Sequence, residues 1–455
     1  LFRSALLKVS FPKGKDSFVV SNPANGKKLA VLPAFELAQV KKQIDAAHIA
    51  FSAWSGLSGF ERAKIMLRWN DLILKNKKEI AAIMNKEGGK LMEEALGEVD
   101  YAAAFISWSA EEAKRITGEV LTMPNSNRGY VIKQAVGVVG AITPWNFPAA
   151  MITRKTAPAL AAGCTVVIKP PRETPLTAIA LLNLAHKAGI PKDVIQIVLG
   201  DSAAIGKEFC SNPKVRKISF TGSTEVGKIL MKQCADHVKK LTLELGGNAP
   251  FIVLEDADID KAVAGAINSR FRNSGQTCVC ANRFLVHEKL KDEFAKKLTS
   301  AAKKLKLAPL INEKAIEKVD GLVKSAGGRI LTGGKYKGCF YEPTVITNLT
   351  PDSVIFATEI FGPVATIFSF KTDAEAVKLA NKTEYGLAAY LYSRDMARGL
   401  RTAEILDFGM VAINDPSVSS PHSPFGGMKE SGFGKEGSHF GIDEYLEKKY
   451  INLAP

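Results

Sequence analysis

The chain's densest chemical capacity lies in "NSGQTCVCANR", residues 273 to 283, where Cys278 and Cys280 stand one residue apart among small polar neighbours. Three chemistries use such a pair. A structural zinc site needs four ligands, with C-x2-C-like spacing and a second Cys or His pair, and nothing nearby supplies them, so no metal is expected. A direct Cys278–Cys280 disulfide would close a strained, easily reduced ring; it would act as a switch rather than a staple and makes Cys280 a candidate redox partner. A nucleophile needs a thiol both exposed and oriented. Gly275 allows the tight turn and the close backbone approach to a substrate oxygen that this requires. A buried structural cysteine is the competing reading.

A nucleophile wants a base and an oxyanion site. In "LTLELGG", 241 to 247, Leu241, Leu243 and Leu245 share one strand face and leave Glu244 on the other, at a strand's carboxyl end; a solvent-facing strand residue has the same pattern. "PWNFP", 144 to 148, sets the Asn146 amide between two prolines, a stiff loop suited to an oxyanion donor or simply to a rigid turn. "ISFTGSTEVGK", 218 to 228, reads as strand, Gly-containing turn and helix start. Backbone N–H groups and a helix dipole hold phosphate in that arrangement, although an ordinary βα turn with a Ser or Thr N-cap looks alike.

The elements that must position these residues read as an α/β chain. From residue 130 short β-branched runs alternate with amphipathic helical stretches, the signature of βαβ units on parallel sheets. "TVVIK", "VIQIV", "KVRKISF" and "KLTLEL" are the strands of one series, with Thr174 as N-cap and Pro175 as N1 of a helix ending at Gly189. "APFIVL" and "NRFLVH" belong to a second. Long helical periodicity over 35 to 120 predicts helices packed on the first unit. Residues 117 to 137 and the tail "EYLEKKYINLAP" fit neither series and read as strands that leave their domain.

Composition bounds the partners. The 455 residues suit two or three domains. The net charge of +15, from 61 Lys and Arg against 46 Asp and Glu, is spread along amphipathic helices such as 289 to 305, so nucleic acid is not an expected partner. The uncharged run from Gln134 to Thr153 is broken by Pro144 and Pro148 and reads as soluble core, so neither is a membrane. Six cysteines are too sparse for a disulfide framework, which points to a reducing compartment. Arg3, Lys8, Lys13 and Lys15, with no acid before Asp16, are compatible with the end of a mitochondrial transit segment or with a cytoplasmic protein's basic start.

"PWNFP", "TVVIKP", "FTGSTEVG", "LELGG", "GQTC", "EIFGPV" and "PFGGMKESGFG" occur in the order seen in aldehyde dehydrogenases, and the resemblance covers nearly the whole chain. It implies a Rossmann-type dinucleotide-binding domain (1–116 and 138–246), an α/β catalytic domain (247–434), and a β oligomerisation arm (117–137 and 435–455) that makes homodimers or homotetramers. It further implies Cys278 as nucleophile, Glu244 as the base that activates water, and Asn146 as oxyanion donor. Trp145, Lys169, Arg172, Gly206, Gly222, Ser223, Glu359 and Phe361 match positions along the dinucleotide, NADP or NAD. Within the family the likeness runs closest to the branch that oxidises succinate semialdehyde, with Arg154 and Arg272 gripping the substrate carboxylate and Ser420 or Ser419 adding a hydroxyl. Other small aldehydes, or a non-catalytic member, are the alternatives.

Two departures stand out. Residue 172 is Arg where NAD-preferring relatives present Glu to the ribose; a cation attracts a 2′-phosphate, so NADP is the favoured cofactor. "KKLKLAPLINEKA", 303 to 315, is about a dozen residues shorter than in relatives. This either trims a surface loop at little cost or removes support from the active site.

Overall fold

A computed structural model describes residues 4–8, 11–12 and 14–455; Arg3 and Lys13 lie outside them. The β-branched runs build two sheets. In the first, five parallel strands lie in the order Ile195–Ile197, Thr165–Lys169, Val138–Ile142, Val215–Thr221, Lys240–Glu244. Every residue of Thr165–Lys169 is buried, because helices cover both faces. Chain order reverses between Val138–Ile142 and Val215–Thr221, so the loops leaving their carboxyl ends diverge and open a crevice there.

The second sheet runs Arg329–Thr332, Thr344–Thr347, Val364–Phe370, Ala281–His287, Ala249–Val253, Ala388–Tyr392, Met410–Ile413, parallel except at its first edge. Two apolar clusters sandwich it, one around Phe251, Phe284 and Phe294 and one around Ile252, Leu285 and Phe368. Gly432–Phe433, expected with this unit, instead adds to the first sheet, antiparallel to Lys240–Glu244. Ile442 and Tyr445, expected in the arm, sit in the first unit's core.

Helices Leu37–Ser55, Gly59–Lys75, Lys77–Gly88 and Met92–Ala113 realise the early periodicity. Ala95, Val99, Ala102, Ile106 and Ala110 form the buried stripe of the last, which packs on helix Ala150–Ala162. Helix Pro175–Lys187 has Pro175 at its first position, but Thr174 does not cap it: its hydroxyl donates to Trp145 O (3.3 Å). The cap is the distant Glu87 carboxylate, which accepts from Leu176 N (2.6 Å) and Thr177 N (2.8 Å). Burial pushes Glu87 up to about 8, against those hydrogen bonds. The two stray segments find each other: Leu446–Leu453, Arg128–Ala135 and Glu119–Leu121 form a three-stranded antiparallel sheet.

Candidate active site

Cys278 is aimed by a backbone that the sequence barely announces. Helix Ile259–Phe271 ends in a tight turn in which Asn273, Ser274 and Gly275 all have positive φ (51°, 55° and 75°). Two non-glycine residues there are costly, so the surroundings must hold them. Asn273 N–H donates to Glu94 Oε1 (2.7 Å), and Ser274 Oγ donates to Ala308 O (2.7 Å). Gln276 Oε1 accepts from Ile311 N (2.9 Å). A Cβ on Gly275 would lie 2.2 Å from Gly362 O, so only glycine fits. The connection before "PLINEKA" is open to solvent at Lys303, Lys304 and Lys306 but turns inward after them. Ala308, Leu310 and Ile311 are buried and form the floor of the cysteine turn.

Cys278 stands where two cavities meet. One, of about 330 Å³, is lined by Lys90, Glu94, Tyr101, Phe147, Arg154, Arg272 and Phe425 among others. The second, of about 360 Å³, is walled by Trp145, Asn146, Gly222, Ser223, Gly246, Glu359 and Phe361. It shares Pro144, Trp145, Thr221, Gly222 and Ser223 with a third, of about 440 Å³, that reaches Lys169, Arg172, Ser202 and Gly206. Burial pushes the Cys278 thiol up to about 12; Glu359 adds to the rise and Arg154 opposes it. Gly247 faces the loop so closely that a Cβ there would be 2.2 Å from Cys278 O.

Cys280 is buried behind the cavities, its Sγ donating to Arg270 O (3.6 Å); both thiols are free. Asn146 is buried, and its Nδ2 donates to Gln276 O (2.9 Å), leaving the second N–H of the amide for another acceptor. Glu244 is 1% exposed rather than solvent-facing, and neither carboxylate oxygen has a hydrogen-bond partner. Burial and then the Glu436 carboxylate push its carboxyl well above the usual range, against Arg154 and Lys155. Glu244 is not a wall of either cavity, but its charge reaches the Cys278 thiol.

On the 330 Å³ side the two arginines differ. Arg154 is buried, its Nε 3.0 Å from Glu436 Oε2 and its guanidinium 3.9 Å over the Phe425 ring, with Nη2 unpartnered. Arg272 is exposed, 5.7 Å over the Phe147 ring, and has no ion-pair partner among the described residues. Of the two candidate serines, Ser419 lines the cavity and bonds Tyr101 OH, whereas Ser420 turns to His422 Nδ1 (3.1 Å).

The residues of the other two cavities fit a dinucleotide. Ser223 caps helix Thr224–Cys234, accepting from Val226 N (3.4 Å), so the helix N-terminus opens on the crevice. Gly222 N–H donates to Glu244 O (3.0 Å), and a Cβ there would be 2.3 Å from the Phe220 ring. Lys169 bonds Ser202 Oγ, and burial pulls its amine down to about 8, against Glu173. Arg172 is exposed on the rim, 5.1 Å over the Phe18 ring. Glu359 accepts from Gly247 N (2.9 Å), and burial raises it to about 7. Phe361, at φ 56°, meets Trp145 edge-on at 5.6 Å.

Lys90, Glu94, Glu98 and Tyr101 escaped sequence reasoning. The signal was there: Glu94, Glu98, Tyr101 and Phe105 fall at helical spacings of four, three and four, one face of Met92–Ala113.

A half-buried thiol, placed where a crevice suited to a dinucleotide meets a second cavity with arginines, is the arrangement an oxidoreductase of the covalent-cysteine type would use. Residues 11–451 match the aldehyde dehydrogenase family profile ("Aldehyde dehydrogenase family"). The chain is 50% identical to glutarate-semialdehyde dehydrogenase of Pseudomonas putida over 452 residues, covering 96% of this chain and 94% of that one. It is equally 50% identical, with the same coverage, to the succinate-semialdehyde dehydrogenase [NADP(+)] GabD of Escherichia coli. The crystal structure of succinate-semialdehyde dehydrogenase from Burkholderia pseudomallei superposes with a TM-score of 0.98 at 50% identity, covering 100% of both chains. This chain belongs to the aldehyde dehydrogenase family.

Proposed function

We propose that this enzyme oxidises succinate semialdehyde to succinate with NADP or NAD, through covalent catalysis by Cys278. The supporting observation is the position of Cys278 at the junction of an arginine-bearing cavity and a dinucleotide crevice. The Cys278 thiolate adds to the aldehyde carbon, and the oxyanion accepts from the Asn146 amide and the Cys278 N–H. The nicotinamide, when bound, supplies the hydride acceptor, and its site is the wall of Trp145, Gly222, Glu359 and Phe361. Loss of hydride from the adduct's carbon leaves a thioester on Cys278, and Glu244, ionised, takes a proton from the water that attacks it, releasing the acid and the thiol. Its unpartnered oxygens leave it free to do so.

Arg272 and Arg154 set the substrate class, since Arg pairs with carboxylates in a planar fork. Of the two candidate serines, Ser419 takes the hydroxyl role. Arg172 on the rim of the 440 Å³ cavity favours a 2′-phosphate. Glutarate semialdehyde, one methylene longer, is the second reading, favoured by a relative of equal identity. The arm sheet, with Tyr450, Ile451 and Leu453 exposed, supports a homodimer or homotetramer.

The test is absorbance at 340 nm with succinate semialdehyde, glutarate semialdehyde, a neutral aldehyde and an aminoaldehyde, each with NADP and NAD. The reading expects kcat/KM highest for succinate semialdehyde. Equal rates on the neutral aldehyde would overturn the substrate, and no turnover with any pair would leave a non-catalytic member.

A further inference from the structure

Lys90 is a wall of the cavity that the proposed substrate would enter, and a lone ammonium there invites the role of a carboxylate anchor. Its surroundings say otherwise. Lys90 is 3% exposed and Glu98 4%. The Lys90 ammonium pairs with Glu98 Oε2, donates to the Asn146 carbonyl (2.9 Å), and lies 3.9 Å over the Phe147 ring. A lysine has three donor hydrogens, and a carboxylate, a carbonyl and an aromatic face take them all. None is left for a substrate.

The other half of the pair is equally committed. Glu98 Oε1 accepts from Ala149 N (2.8 Å) and Ala150 N (3.3 Å), the first N–H groups of helix Ala150–Ala162, whose own N-cap, Ala149, offers no side-chain bond. That helix carries Met151 and Arg154 to the cavity. The backbone of "NFPA" is thus gripped at Asn146 by Lys90 and at Ala149 by Glu98, two residues from one stretch at i and i+8. Asn273 Nδ2 adds a second bond to the Asn146 carbonyl (3.1 Å).

We propose that Lys90 and Glu98 are positioning residues, a buried bracket that fixes the Asn146 amide at the place where an oxyanion forms beside Cys278. The proposal rests on the reading of Asn146 as oxyanion donor. Removing a single such donor costs on the order of 100-fold or more in kcat, and loosening its position costs part of that. Replacing the ammonium by an uncharged chain of similar length also leaves Glu98 without its partner, so the bracket acts as a unit.

The experiment is a double-mutant cycle on purified enzyme with Lys90→Met, Asn146→Ala and the double variant, plus Glu98→Gln, which keeps an acceptor for the helix. Each is assayed with succinate semialdehyde and with a neutral aldehyde; binding of reduced cofactor by fluorescence reports a folded crevice. Lys90→Met and Glu98→Gln are expected to lower kcat about 10- to 100-fold on both aldehydes. The double variant is expected to be no worse than Asn146→Ala alone. A loss confined to KM for the semialdehyde would make Lys90 a substrate anchor and overturn the proposal. So would losses that multiply in the Asn146→Ala background. Full activity of Asn146→Ala would remove the oxyanion reading itself. An impaired Asn146→Ala beside an unimpaired Lys90→Met would sink this inference alone. If Lys90→Met loses cofactor binding, Glu98→Gln and its own double with Asn146→Ala decide by the same criteria.

Discussion

Arg272 and Arg154 both face the cavity, yet the structure assigns them unequal charge to spend on a substrate. Arg154 already meets Glu436 at 3.0 Å, so its charge is answered within the protein, although Nε and Nη2 have no hydrogen-bond partner. Arg272 has no acidic partner among the described residues. A substrate carboxylate gains a charge-assisted hydrogen bond from it, about 1.5–3 kcal/mol, and the exposure of Arg272 argues for the lower end. At about 1.4 kcal/mol per tenfold, Arg272→Met is expected to lower kcat/KM for succinate semialdehyde roughly 10- to 30-fold. The carboxylate is remote from the reacting carbon and is bound alike in ground and transition states, so the loss falls on KM with kcat little changed. A neutral aldehyde of similar length keeps its kcat/KM. Steady-state kinetics on both substrates measure the contrast. Arg154→Met behaves differently: Glu436 keeps its pair with Lys155 (2.5 Å) but loses one of its two buried cations, and the loss shows first as a lower melting temperature. An Arg272→Met enzyme that loses as much on the neutral aldehyde would refute the division of labour.

Three further outcomes are expected. Alkylation of Cys278 by iodoacetamide in the cofactor-free enzyme should climb about tenfold per pH unit from 7 to beyond 9.5, because a thiol held near 12 gains thiolate over that whole window. Glu359→Gln, removing the second cause of the rise, should speed labelling at fixed pH, and a plateau near 8.5 in the parent would contradict the raised thiol. Gly247→Ala places a Cβ against Cys278 O, so kcat should fall about 100-fold or more while circular dichroism and cofactor binding persist; an active variant would show that the loop yields. Arg172→Glu should move the NADP to NAD ratio of kcat/KM towards NAD, since a carboxylate repels a 2′-phosphate and accepts from a ribose hydroxyl. An unchanged ratio would detach Arg172 from cofactor choice.

What the sequence made legible follows the physics of each signal. Strands and helices rest on local periodicity, and "TVVIK" or "KLTLEL" can be read without knowing their neighbours. Glu244 shows where this stops. Alternation placed it opposite its leucines, but in a sheet covered on both faces the opposite side is also interior, so polarity alone could not report its burial. The N-cap expected of Thr174 failed for a related reason: Glu87, 89 residues away from Leu176, outcompetes the local hydroxyl for the helix N-terminus, and no window of sequence holds both.

The serine at the cavity and the fate of the short connection needed three dimensions in a stricter sense. Ser419 and Ser420 are chemically identical, and only the bond of Tyr101 to one of them breaks the tie. For residues 306 to 312 the count of missing residues says nothing of what the remaining ones touch. Their contacts with Ser274 and Gln276 hold one of the two left-handed residues, and the residue that follows the turn, in place just before Cys278. A link whose end is tied at Ser274 and Gln276 forms the floor on which Cys278 is aimed. Loop length, which costs little in stability, therefore bears on this enzyme through the geometry of its thiol.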